Sequence, residues 1–239
     1  MDILTTKQKK TYITINLILI PMSISTTLGA EDVITGELPP YSSSKMKNNG
    51  DLTQDILTTL NKIGYKKIKL SYQPWPRGLK NMTMGNAIAA FPFTWTSSRS
   101  KHLYFSVPIA FDIQSWYTTH DKKYLEQSSW KGKVACVPKG WFSDAINDVV
   151  YRNQLNVRTT NRLNQCLELL KKGRVDLVSI SDKSRKTHSL NSESNLYRLS
   201  LYRQNVTFYL VTPKNAEGKA RIGDFNDAWI GSNLPYKWY

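Results

Sequence analysis

"GNAIAAFPFTWTSSRS", Gly85 to Ser100, runs from a glycine through a charge-free apolar segment into hydroxyls, one indole and one arginine. Apolar side chains on successive residues read as a strand buried on both faces, the kind found in parallel sheets covered by helices. The preceding "RGLKNMTMG" (77–85) is a short helical candidate that stops at Gly85. The same unit of helix, glycine and strand recurs twice. In "DLTQDILTTLNKIGY" (51–65), Leu52, Ile56, Leu60 and Ile63 share one helical face, Gly64 ends it, and "KKIKLSYQPW" alternates as a strand. In "RLNQCLELLKKG" (162–173) a helix stops at Gly173, and "RVDLVSIS" follows as an apolar strand. Glycine at these stops suits the left-handed residue that closes a helix. An α/β architecture follows.

In open α/β sheets ligands sit beyond the carboxyl ends of the strands, where polar groups are presented without burial in the core. The strand after Gly85 ends in Thr94, Trp95, Thr96 and Arg99, and the strand after Gly173 ends in Ser181 and Asp182. One cluster is cationic and the other anionic, so together they could hold a zwitterion.

The amino terminus reads as a leader. Lys7, Lys9 and Lys10 precede an apolar run from Ile13 to Ile24, and "TTLGA" closes with small residues at Gly29 and Ala30. This is the pattern of a signal peptide cleaved after residue 30, and the run is shorter than the roughly 20 apolar residues of a membrane span. No cysteine stands near the cut to accept a lipid. A soluble exported protein in a bacterial periplasm is the expectation.

The 239 residues carry a formal charge of +15, most of which remains without the leader. That balance raises nucleic acid or anionic envelope surfaces as partners. The basic residues are spread in short pairs such as Lys122-Lys123 and Lys171-Lys172, however, which reads as a solvated surface, and no nucleic acid is expected as a partner. The two cysteines, Cys136 and Cys166, would enter an oxidising compartment, where a disulfide and two buried thiols are both open readings. No metal and no cofactor are expected, because nothing in the spacing places His102, His120 or His188 beside them.

"GELPPYS" (36–42), "PWPRGLKNMTMGNAIAAFPFTWTSSRSKHLYFSVPI" (74–109), "WKGKVACVPKGW" (130–141) and "CLELLKKGRVDLVSISD" (166–182) form an ordered series of landmarks. It resembles that of bacterial extracellular solute-binding proteins of family 3, which includes the periplasmic amino-acid-binding proteins of ABC importers. The resemblance implies a two-lobed periplasmic-binding fold of type II, with mixed, mostly parallel sheets. Residues 31–112 with 206–239 would form one lobe and 113–205 the other, with hinge strands near "FDIQSWY" and "LSLYRQN".

The resemblance also assigns roles. Arg99 would grip an α-carboxylate with its bidentate fork, and Asp182 would receive the α-amino group. Thr94 and Thr96 would offer hydroxyls, Gly140 and Trp141 a turn of backbone amides, and Tyr41 and Trp75 aromatic walls. Plainer readings stand beside these: Arg99 as a surface arginine, Asp182 as a cap for "DKSRKTHSL", Trp75 as core and Arg77 as an ion-pair partner.

The family's aspartate after the first glycine is replaced by Asn86 but kept as Asp176 in the later unit, where it would be architectural. The final helix in "GDFNDAWIGSNLPYKWY" would be curtailed by Gly231 and Pro235. Cys136 on the strand opening the second lobe and Cys166 on the helix beside it are expected to be bonded. The implied function is capture of an amino acid or related zwitterion by a monomer that serves an inner-membrane ABC permease, without catalysis. An orphan or sensor-type binding protein and a dehydratase-like enzyme on the same lobes are the alternatives.

Overall fold

A computed structural model describes residues 31–187 and 196–232. The expected leader, His188 and the last seven residues lie outside this range.

The chain alternates from the start: β1 (Glu31–Thr35), α1 (Thr53–Lys62), β2 (Ile68–Tyr72), α2 (Trp75–Thr83), β3 (Ala89–Thr94), the one-turn α3 (Ser97–Ser100) and β4 (Leu103–Phe105). The long β5 (Ala110–Thr119) leads into β6 (Val134–Pro138), α4 (Asp144–Arg152), β7 (Asn156–Thr160), α5 (Leu163–Lys171), β8 (Leu177–Ser181) and α6 (Asp182–Thr187). A second long strand, β9 (Leu196–Pro213), returns the chain to α7 (Ala216–Ile230).

The described strands form one sheet in the order β2-β1-β3-β9-β5-β8-β6-β7, with β4 also paired to β9. Parallel pairs lie within each half: β1 with β2 and β3, and β6 with β7 and β8. The antiparallel pairs come from β5 and β9, which join the halves. Their mutual register shifts between Gln114 and Trp116, inside the "FDIQSWY" segment, and Tyr202 in the facing stretch takes a left-handed φ of 57°.

Three glycines end helical segments as the sequence suggests. Gly64, Gly85 and Gly173 have φ of 111°, 74° and 65°, and β2, β3 and β8 follow them. The runs of consecutive apolar residues are explained by burial on both faces. Val33 and Phe91 point toward Ile56, Leu60 and Phe225, under α1 and α7. Their neighbours Ile34 and Ala90 point the other way, toward Met82 of α2. In the second half Trp116 and Leu177 join one cluster, whereas Tyr117 and Val178 join the other, beneath α5. Each fully buried large side chain contributes about 1.5 to 3 kcal/mol, which sets the register of every strand by face.

Cys136 and Cys166 are bonded, with a Cα to Cα distance of 5.4 Å, so β6 is stapled to α5. Asp176 holds the start of the same half: its carboxylate accepts the Val134 N–H at 2.9 Å and pairs with Lys122 Nζ at 2.9 Å. Burial pushes its pKa up, but these two partners outweigh it and hold the carboxyl below its ordinary value. α7 is capped by Gly231, where the sequence suggests an early stop.

Candidate functional site

The chemistry collects where the two halves of the sheet meet. At the end of β3 the chain turns through Thr94 and Trp95 to Thr96, whose hydroxyl accepts the Arg99 N–H at 3.1 Å and starts α3. Thr96 therefore works as a helix cap, one step removed from the cleft. The cap points Arg99 inward, and the residue is only 9 % exposed. Its Nη1 donates to Thr94 O at 2.8 Å and to Thr94 Oγ1 at 2.6 Å, and its Nη2 crosses to Gly140 O in the other half at 2.9 Å. Burial pulls the guanidinium pKa below its ordinary value, and the charge of Asp144 opposes the shift.

Gly140 makes the crossing possible. Its φ is 85°, and a Cβ there would lie 2.4 Å from Trp75 Cβ. Trp75 is pinned from the other side by Gly36, where a Cβ would come within 2.5 Å of the indole. The indole thus sits between a glycine of each half. Its Nε1 is shut from solvent and has no hydrogen-bond acceptor among the described residues. The halves touch again where Ser97 N donates to Asp144 Oδ2 at 3.4 Å, and where Ser184 Oγ donates to Pro39 O at 2.8 Å.

These contacts surround a small cleft between the halves, part of it open to solvent. Arg99, Thr94, Trp75, Gly140 and Trp141 line it, as the sequence suggests. Leu38, Phe93, Ile146, Val206 and Phe208 make the rest of its walls largely apolar. Ser181, named in the sequence at the end of its strand, lines it too, and so do Gln114 and Ser143, which the sequence reading does not mark. Gln114 donates to Ser179 Oγ at 2.7 Å, and Ser143 caps α4 through the Ile146 N–H at 3.2 Å. Gln114 stands in β5 among Asp112, Ser115, Thr118 and Thr119, so its residue type alone does not mark it as a cleft residue.

Tyr41 and Asp182 do not line the cleft. Tyr41 is fully buried and donates its hydroxyl to Asp112 at 2.6 Å, which makes it core. Asp182 opens α6, and its carboxylate turns to the opposite face of the sheet, to Ser115 and Tyr117, which alternate along β5 with the cleft-lining Gln114. Its Oδ1 accepts from Ser115 Oγ at 3.1 Å and Tyr117 Oη at 3.2 Å, and Arg203 approaches Oδ2 at 3.4 Å. Arg99 and Asp182 are therefore not brought together.

The Tyr117 phenol is pushed up to about 12, first by burial and then by the Asp182 charge. The unfolded phenol ionises near pH 10. Stability tied to Tyr117 is thus complete below about pH 10 and is lost as pH rises toward about 12. Melting temperatures measured between pH 9 and 12 should fall more steeply for the wild type than for Tyr117→Phe; parallel curves would contradict this coupling.

No protein-family model matches the chain, and no curated protein matches it in sequence. Solved structures do match it. The substrate-binding protein of an amino acid ABC transporter superposes with a TM-score of 0.69 at 17 % identity, over 84 % of this chain and 92 % of its own. The arginine-, lysine- and histidine-binding protein ArtJ of Geobacillus stearothermophilus gives 0.69 at 16 % identity, over 84 % and 88 %. The ancestral amino-acid-binding protein AncCDT-1, a precursor of cyclohexadienyl dehydratase, gives 0.68 at 16 % identity, over 85 % and 88 %. The fold is the two-lobed one of periplasmic binding proteins. No helix among the described residues is long and apolar enough to cross a membrane.

Proposed function

We propose that this protein is a periplasmic solute-binding protein that captures a small amino-acid-like solute between two lobes for an ABC-type importer. In this reading the described residues 31–112 with 206–232 make one lobe and 113–187 with 196–205 the other, and β5 and β9 carry the hinge. The observation behind this reading is Arg99: a buried guanidinium, delivered by a strand end and a helix cap, that reaches across the cleft to Gly140 O. A ligand carboxylate offers the same fork two charged acceptors in place of one neutral carbonyl, a stronger partner. Binding would thereby favour the arrangement in which both halves meet around the ligand. The neighbours' described roles in amino acid binding and ABC transport point the same way.

The leader, the periplasmic address and a permease partner belong to this proposal. So does a role in binding rather than turnover, although one neighbour is a dehydratase precursor. Acid catalysis in the cleft would need a carboxyl, imidazole, ammonium, phenol or thiol there, and the described lining residues carry none of these. The test is a thermal-shift screen of the mature protein against amino acids, organic acids, polyamines, peptides and sugars. A ligand at a hundred times its dissociation constant adds about 2.7 kcal/mol and should raise the melting temperature by several degrees. A screen in which only ligands without a carboxylate respond would refute the reading.

A further inference from the structure

The lining of the cleft holds one charged side chain, the Arg99 guanidinium, and no carboxylate among the described residues. The nearby acids are committed elsewhere. Asp182 faces away, toward Ser115, Tyr117 and Arg203. Asp112 accepts from Tyr41 Oη at 2.6 Å and from the Ile113 N–H at 2.7 Å. Asp144, whose charge acts on Arg99, accepts the Ser97 N–H outside the lining.

Ser181 stands at the end of β8 but spends its proton on Ser184 Oγ at 3.0 Å and accepts the Ser184 N–H at 3.4 Å. An ammonium entering this cleft would exchange water for neutral and apolar surroundings and meet the like charge of Arg99. Burying a charge without a partner is costly. The second observation is the Trp75 indole N–H, a buried donor without an acceptor on a residue that lines the cleft. Leaving such a donor without an acceptor is costly, which favours a ligand atom that accepts from it.

Two unequal donors and an apolar wall describe a ligand rich in oxygen at one end and apolar at the other. Resting on the carboxylate role of Arg99 proposed above, we propose that the ligand is a monocarboxylate with a second neutral oxygen acceptor and an uncharged apolar body. The α-amino group is dispensable to it. A 2-hydroxy or 2-oxo acid with an aliphatic or aromatic chain fits this description, and so does an N-acylated apolar amino acid. Arginine and lysine do not fit, because their side-chain cations would lack a counter-charge.

Isothermal titration calorimetry on the wild-type mature protein tests this with matched pairs: phenylalanine against 3-phenyllactate and 3-phenylpyruvate, and leucine against 2-hydroxyisocaproate, with arginine and lysine alongside. The oxygen analogue is expected to bind as tightly as the amino acid or more tightly, and the basic amino acids not at all. Amino acids more than about tenfold tighter than their analogues in every pair would overturn the proposal, and so would binding of arginine or lysine. If no carboxylate binds and another solute does, the carboxylate role of Arg99 falls and this inference falls with it.

Ser181→Asp gives an independent reading. It supplies the missing counter-charge, so the amino acid should gain at least about tenfold relative to its hydroxy analogue. The ratio is measured within one variant, so a change in overall stability does not affect it. An unchanged ratio in a folded variant would place the amino position elsewhere and count against the proposal.

Discussion

Arg99→Ala should weaken binding of a carboxylate ligand by about 2 to 5 kcal/mol, because it leaves a desolvated anion without its partner. The residue is 9 % exposed, so little water reaches the contact to screen it or to replace the lost donors. Arg99→Lys should fall between the two. A lysine keeps the charge but lacks the planar fork that serves Thr94 and Gly140 together. Calorimetry with the ligand found in the screen reads the loss, and thermal melts confirm that the variants are folded. A truncated variant within two- or threefold of wild type would move the anion site away from Arg99.

Replacing both cysteines, Cys136→Ala with Cys166→Ala, should cost about 3 to 4 kcal/mol of stability by the chain-entropy estimate for a loop of this size. The bond spans 30 positions and fastens α5 to the strand whose end carries Gly140. Both residues are fully buried, so the lost packing adds to the entropic effect. Denaturant titration of the double variant should show an earlier midpoint, and the wild type under a reducing agent should move in the same direction. A double variant that unfolds within about 1 kcal/mol of wild type would mean that the unfolded chain is already restrained there.

The fold was legible because its signals are local. A helical face, a glycine and an apolar strand occupy one short window, and each of the three windows folds as its pattern indicates. The disulfide was legible for a related reason, since a strand and the helix packed on it are both visible as patterns. The site was legible only in part. Arg99, Thr94 and Trp75 stand at element ends, and an end can be located to within a residue or two. Asp182 failed at that tolerance, because it stands one step beyond β8, at the start of α6, and its carboxylate turns to the far face. Nothing in "SISDKS" says which of Ser181 and Asp182 turns inward. Thr96 and Tyr41 illustrate another limit: a hydroxyl can serve the backbone or a buried carboxylate as readily as a ligand.

The course of the chain through the sheet also bears on the order in which the molecule can assemble. β6, α4, β7, α5 and β8 come from one uninterrupted stretch, so their contacts close short loops at small entropic cost. The other half cannot be completed that way. Ala90 must wait for Val211, and α1 for α7, which arrive only after the whole intervening segment has been made. Contacts of such long sequence separation form slowly. During synthesis the edge of β3 therefore stays unpaired until β9 arrives, and the face of β1 and β3 under α1 lacks Phe225 and Trp229 until α7 does. That interval is when this chain is most exposed to aggregation.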